Sequence, residues 1–210
     1  MSDQEPDLNA AYALETPEDN RRLYAQWATT YDQTFAERME YRLPRIVALV
    51  LAEVFAGPGP VLDVGAGTGL VAQNMLMRSM FETDALDISA DMLAVAMAKG
   101  LYARAIEADL SGPLDLPDET YGAVVSAGTF THGHVGPDAL DELLRVARKG
   151  AVFVLSINAA DFEARGFAAK FAALEPVIDR VEHRVVNIYG PGAEAAHQDD
   201  QAHIAVFWKR

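Results

Sequence analysis

Val61-Leu62-Asp63-Val64-Gly65-Ala66-Gly67-Thr68-Gly69 is a short apolar run that ends in three alternating glycines. The pattern predicts a strand, a tight turn and the start of a helix. Glycine has no Cβ, so it takes positive φ and lets a ligand lie against bare backbone. Three of them so close together make a wall for a flat or charged group.

Downstream of this turn the chain alternates. After the strand Val61–Val64, a helix is expected from Thr68 to about Ser79, then a strand Phe81–Leu86 ending in Asp87. Ser89 is placed to cap a helix Ala90–Lys99, closed by Gly100. A strand Tyr102–Ile106, a turn-rich loop Ser111–Glu119, a strand Tyr121–Ser126, a helix Pro137–Arg148 and a strand Ala151–Ile157 follow. Strands joined by helices of this length pair in parallel through right-handed crossovers, and runs such as Val152-Phe153-Val154-Leu155 imply burial on both faces. The fold class is therefore α/β, a doubly wound and mostly parallel sheet. After a further helix, about Ala159–Leu174, the β-like runs Val185–Tyr189 and Ile204–Trp208 suggest a closing antiparallel pair at the sheet edge.

Upstream, residues 1–15 read as a disordered tail and 16–57 as a helical cap, separated by Gly57-Pro58-Gly59-Pro60 from an α/β body over 58–210. Thr16 is a helix N-cap, with Pro17 in the first turn. Tyr24, Trp27, Tyr31 and Phe35 fall at helical spacing and share one face, which either packs into the core or faces a ligand. A second helix runs from about Leu43 to Phe55.

Composition narrows the partners. The chain has 210 residues, half of them apolar, enough for one domain with a sizeable core. The longest apolar run, Ile46 to Ala52, is far shorter than the ~18 residues of a membrane span. The first fifteen residues carry no signal-peptide pattern, so a cytoplasmic address is the default. With no cysteine, disulfides, thiolate metal sites and a cysteine nucleophile are ruled out. A net charge of −14, from 17 basic and 31 acidic side chains, disfavours nucleic acid and favours a small neutral or cationic partner.

In such a sheet the ligand lies at the carboxyl ends of the strands. The glycines arrive there after the first strand. At the end of the second, Asp87 can accept both hydroxyls of a ribose. Asp109, after the third, can accept from an exocyclic amine, and Ile88, Met92 and Leu110 offer apolar surface to a base. Together they predict an adenosine-containing ligand. A dinucleotide site needs a third glycine where this chain has Leu70, and Asp63 would repel a pyrophosphate while organising the turn or attracting an ammonium.

The stretch from Val61 to Gly69 resembles the first motif of the class I S-adenosylmethionine-dependent methyltransferases. Asp87 resembles their ribose-binding acid and Glu107-Ala108-Asp109 their adenine-side motif. Tyr24-x-x-Trp27-Ala28-x-x-Tyr31-Asp32, Tyr41-Arg42-x-Pro44-Arg45, Ala98-Lys99-Gly100-Leu101-Tyr102 and Leu143-Leu144-Arg145-Val146 are similar to the Williams–Beuren syndrome region methyltransferase-like proteins and their bacterial relatives. The resemblance implies a Rossmann-like seven-stranded sheet with an antiparallel last strand, S-adenosylmethionine as cofactor, and a helical lid bearing Trp27 and Tyr31. It carries the cofactor site onto Asp63, Gly65, Ala66, Gly67, Thr68, Gly69, Asp87, Ile88, Met92, Asp109, Leu110, Ser126 and Ala127.

In-line methyl transfer requires positioning and exclusion of water, and a base only if the acceptor must lose a proton. The segment after the fourth strand would supply it, His132 first and His134 second. Ser126-Ala127-Gly128-Thr129 departs from the Asn/Asp-Pro-Pro-Tyr/Phe motif of enzymes that methylate the amino groups of DNA bases or glutamine. No metal site is expected, because the spaced histidines lack a third ligand. The expected activity is methyl transfer to a small-molecule acceptor. The alternatives are a non-catalytic S-adenosylmethionine-binding or assembly protein and an NAD-dependent oxidoreductase.

Overall fold

Asp7 accepts the amide of Ala10 at 2.8 Å and starts a short helix, α1 (Leu8–Tyr12). The computed structural model describes residues 6–75, 81–131 and 133–210. Within them, α1 corrects the expectation of a disordered tail: Ala11 and Leu14 are buried, because Leu8, Ala11 and Leu14 fall on one face at helical spacing.

α2 (Pro17–Trp27) begins as the sequence predicts, with Thr16 accepting the amide of Asp19 at 3.1 Å. It does not continue as one helix to Phe35. The chain turns over residues 28–30, and Asp32–Glu37 widen into a π-helical turn. The rings still meet, with centroids 5.1 Å apart for Trp27 and Tyr31 and 4.9 Å for Tyr31 and Phe35. α3 (Leu43–Val54) follows, with Pro44 in its first turn, where a missing amide hydrogen costs nothing.

The seven strands described are β1 (Val61–Val64), β2 (Thr83–Asp87), β3 (Arg104–Glu107), β4 (Tyr121–Phe130), β5 (Ala147–Asn158), β6 (Ile178–Asn187) and β7 (Gln201–Lys209). Their order is β3-β2-β1-β4-β5-β7-β6. The first five pair in parallel, and β7 is antiparallel to both β5 and β6. Along each central strand the side chains alternate between two cores. Val61, Ala123, Val125, Val152 and Val154 pack with α3, Trp27 and Phe35. Leu62, Val64, Val124, Phe153 and Leu155 pack with α6 (Ala139–Val146) and α8 (Phe167–Leu174). Period-two alternation in strands buried on both faces is what a doubly wound sheet requires. The N-terminal helices thus share a core with the sheet.

Other differences are local. α4 is described over Leu70–Asn74, and the remainder of the helix expected to Ser79 lies outside the described residues. α5 (Ala90–Ala98) is capped by Ser89. The helix before β5 ends early, because Ala147 pairs with Tyr121 and joins the strand. A single helix from Ala159 to Leu174 is replaced by α7 (Ala159–Ala164) and α8, broken at Gly166, whose φ of 83° lies in the left-handed region that glycine tolerates.

Candidate active site

The strand order reverses between β1 and β4, so their carboxyl ends splay apart and leave a crevice there. Two hydroxyls fix the geometry at this point: Ser126 Oγ and Thr129 Oγ1 both donate to the carbonyl of Val64, at 2.7 and 3.0 Å. Gly65 then turns with φ of 64°. A Cβ here would lie 1.9 Å from Thr129 Oγ1, so conformation and space both demand glycine. At Gly67, φ of 53°, a Cβ would meet nothing within 4 Å. Gly67 therefore offers bare backbone to open space.

Asp87, at the end of β2, closes this turn. Its Oδ2 accepts the amide of Gly67 at 2.8 Å and its Oδ1 the amide of Ser89 at 2.9 Å. Burial raises its pKa, and the amides of Ser89, Gly67 and Ile88 oppose that shift. A buried carboxylate with further lone pairs, beside an open glycine turn, fits a vicinal diol.

These groups open onto a cavity of about 590 Å³, within the range of small-molecule sites. Of the residues expected at the cofactor, Tyr31, Gly65, Gly67, Asp87, Ile88, Met92, Asp109, Leu110 and Ala127 line it. Trp27, Asp63, Ala66, Thr68, Gly69 and Ser126 do not; they lie behind its wall. Trp27 is 2% exposed, and its indole N–H donates to Thr34 Oγ1 at 3.0 Å. It is a core residue of the N-terminal segment, because large rings at helical spacing bury first against α3 and the sheet. Thr68 Oγ1 donates to Asp32 Oδ1 at 2.5 Å, and Lys99 Nζ lies 2.6 Å from Asp32 Oδ2, so Asp32 pins the π-helical turn to α4 and α5.

Asp63 is fully buried and accepts the phenol of Tyr102 at 2.6 Å, while its Oδ1 has no hydrogen-bond partner. Burial pushes its pKa to about 7 against the lowering effect of Tyr102. It organises the wall behind the glycine turn, where Gly69 lies close to the Tyr102 ring. His132 lies outside the described residues. His134 lines the cavity, with Nε2 2.9 Å from the hydroxyl of Tyr24.

The larger omission is the opposite wall. Tyr12, Tyr24, Tyr41 and Tyr189 line the cavity with Tyr31 and Phe35, and Asn20, at the cavity's edge, donates to the carbonyl of Gly133 at 2.9 Å. Only the capping Asp7 and the spacing of Leu8, Ala11 and Leu14 foretold α1 in the sequence. Tyr41 stood in a motif of the resemblance, but nothing local put it or Tyr189 at a ligand; the two meet only in the folded chain, with centroids 5.9 Å apart.

An open sheet whose first turn and second and third strand ends converge on one cavity is the architecture of α/β enzymes that hold a nucleoside-bearing ligand. A family model described as a methyltransferase domain matches residues 61–150. Human methyltransferase-like protein 27 is 32% identical over 181 residues, covering 83% of this chain and 71% of that protein. The phosphatidylethanolamine N-methyltransferase of Cereibacter sphaeroides is 33% identical over 139 residues, 64% of this chain and 65% of that enzyme. In fold, the chain is similar to a solved SAM-dependent methyltransferase from Aquifex aeolicus, with a TM-score of 0.58 at 19% identity over 88% of this chain and 98% of that one. The chain belongs to the class I S-adenosylmethionine-dependent methyltransferases. Among the described residues no helix is long and apolar enough to cross a membrane.

Proposed function

We propose that this methyltransferase acts on a small-molecule acceptor, with the donor held along the glycine turn and the acceptor against the tyrosine wall. The observation that carries this reading is the single cavity that joins Gly67, Asp87 and Asp109 to Tyr12, Tyr24, Tyr41 and Tyr189. Gly65 and Gly67 would pass the donor's amino-acid portion along bare backbone. Asp87 would accept from the ribose hydroxyls, and Asp109, with Ile88, Met92 and Leu110, would hold the adenine. When bound, S-adenosylmethionine supplies a methyl carbon made electrophilic by its sulfonium, and transfer breaks the carbon–sulfur bond with both electrons left on sulfur. The N-terminal helices would exclude water, which proximity catalysis requires. His134, hydrogen-bonded to Tyr24, would serve as the proton acceptor alongside the first candidate His132, which lies outside the described residues. The name of the Cereibacter sphaeroides relative supports nitrogen as the acceptor atom.

Calorimetry with S-adenosylmethionine and S-adenosylhomocysteine tests the donor site, and saturable binding is expected. S-adenosylhomocysteine formation against fractionated metabolites tests the acceptor class. Product only with macromolecular fractions would overturn the small-molecule reading.

A further inference from the structure

Six aromatic side chains from separate parts of the chain line the cavity and neighbour one another: Tyr12, Tyr24, Tyr31, Phe35, Tyr41 and Tyr189. Their rings meet at interplanar angles from 39° to 88°, none of them parallel. Tyr24 and Tyr31 lie at 61° and Phe35 and Tyr189 at 88°, with centroids 6.3 and 6.0 Å apart. Rings set this way form a faceted box and not a slot between parallel planes, so the box suits a compact group better than a flat one. Burial raises the pKa of each of the five tyrosines, so they stay neutral phenols whose π faces carry the negative end of the ring quadrupole.

The charges agree. Among the described residues no lysine or arginine lines the cavity, whereas Glu15, Asp87, Asp109, Asp138 and Glu142 do. Asp138 and Glu142 are compensated by Lys170 and Arg145, at 3.4 and 2.8 Å. None of the ion pairs among the described residues involves Asp87, Asp109 or Glu15. An anionic acceptor would enter against this field with no lysine or arginine among the described lining residues to receive it. A cation would gain from the carboxylates and from every ring it faces.

We infer that the tyrosine box is a subsite for a small organic ammonium ion, which makes the methyl acceptor an amine that enters as its cation. This rests on the donor and acceptor placement proposed above. An amine must release a proton to free its lone pair. Tyr24 is placed to take that proton on its oxygen while its own hydrogen passes to Nε2 of His134, which leaves the phenol neutral and the imidazole charged. The methylated product is again an ammonium, and the same rings hold it until release.

The test reads binding and not turnover. The full chain, saturated with S-adenosylhomocysteine, is titrated with choline and with its uncharged isostere, in which a tert-butyl group replaces the trimethylammonium. Choline should bind about tenfold more tightly, as expected for a desolvated cation against several ring faces. The preference should vanish in Tyr41→Leu and persist in Tyr41→Phe. Equal or tighter binding of the isostere to the unaltered chain would overturn the inference, and that comparison needs no variant to fold. The same pair titrated without S-adenosylhomocysteine separates the two claims: a cation preference with no S-adenosylhomocysteine binding would sink the donor site and leave the box standing.

Discussion

Gly67 donates its backbone amide to Oδ2 of Asp87 at 2.8 Å, so the carboxylate at the end of β2 holds the glycine turn that follows β1 in the shape the donor would meet. In the proposed reading Asp87 would act on the donor twice, once as an acceptor for its ribose and once through the turn. Asp87→Ala should lower S-adenosylhomocysteine affinity by about 1–3 kcal/mol, roughly fivefold to 150-fold. Asp87→Asn should lose less, since its amide oxygen can still receive Gly67. Calorimetry checks both, and unchanged affinity in the alanine variant would remove Asp87 from the site.

Asp63 predicts an unusual pH dependence. Burial raises its pKa from an ordinary 3.8 to about 7, above its unfolded value. Between those two pH values the folded chain keeps a proton that the unfolded chain has released. Its contribution to stability is thus complete below about pH 4 and is lost as pH rises through about 7. Asp63→Asn keeps an acceptor for Tyr102 and removes the titration. Urea unfolding across this window should show a flatter pH dependence in the variant, and identical slopes would show that Asp63 does not carry the effect.

Trp27→Ala should act on stability before binding. Its ring is 2% exposed and packs in the core with Phe35 and α3. Removing it should cost about 3–5 kcal/mol, a fall in Tm on the order of 10 °C for a chain of this size. Tyr31→Ala, which lines the cavity, should cost more affinity than stability. A Trp27→Ala chain that melts normally yet binds S-adenosylhomocysteine poorly would return Trp27 to the ligand.

Asp32 ties the π-helical turn to the sheet layer through Thr68 and Lys99. The ion pair is a quarter to a third exposed, so it contributes no more than about 1 kcal/mol to global stability. Its removal should show locally instead. Asp32→Ala should speed amide exchange over residues 17–37 with little change in Tm, and exchange rates equal to the parent chain would show that other contacts hold the segment.

The sequence was legible where structure is set by neighbours in the chain. The turn at Gly65 to Gly69, the caps Thr16 and Ser89, and Asp87 at a strand end all follow from local rules, and the cavity sits where those rules put it. For Trp27 and Asp63, both buried, a motif specifies residue identity and not which side of a wall the side chain faces. Burial decides that, and burial is a property of the assembled core. Ala147 passed for helix because its strand partner, Tyr121, is distant in sequence. The tyrosine box was readable only in part: Tyr24, Tyr31 and Phe35 share a helical face in the sequence, whereas Tyr12, Tyr41 and Tyr189 join them only when the sheet brings them together.

The position of β7 between β5 and β6 has a consequence for biosynthesis. The ribosome delivers β6 before the strand that separates it from β5, so β6 must wait, unpaired on the side that β7 will occupy, until Gln201–Lys209 has emerged. Until then the hydrogen-bonding edge of β5 is open and Phe207 is absent from the core beside Phe153. A nascent chain that already contains every residue of the glycine turn and of Asp87 is still an unfinished sheet, exposed to chaperones and proteases until its last strand slides into the gap.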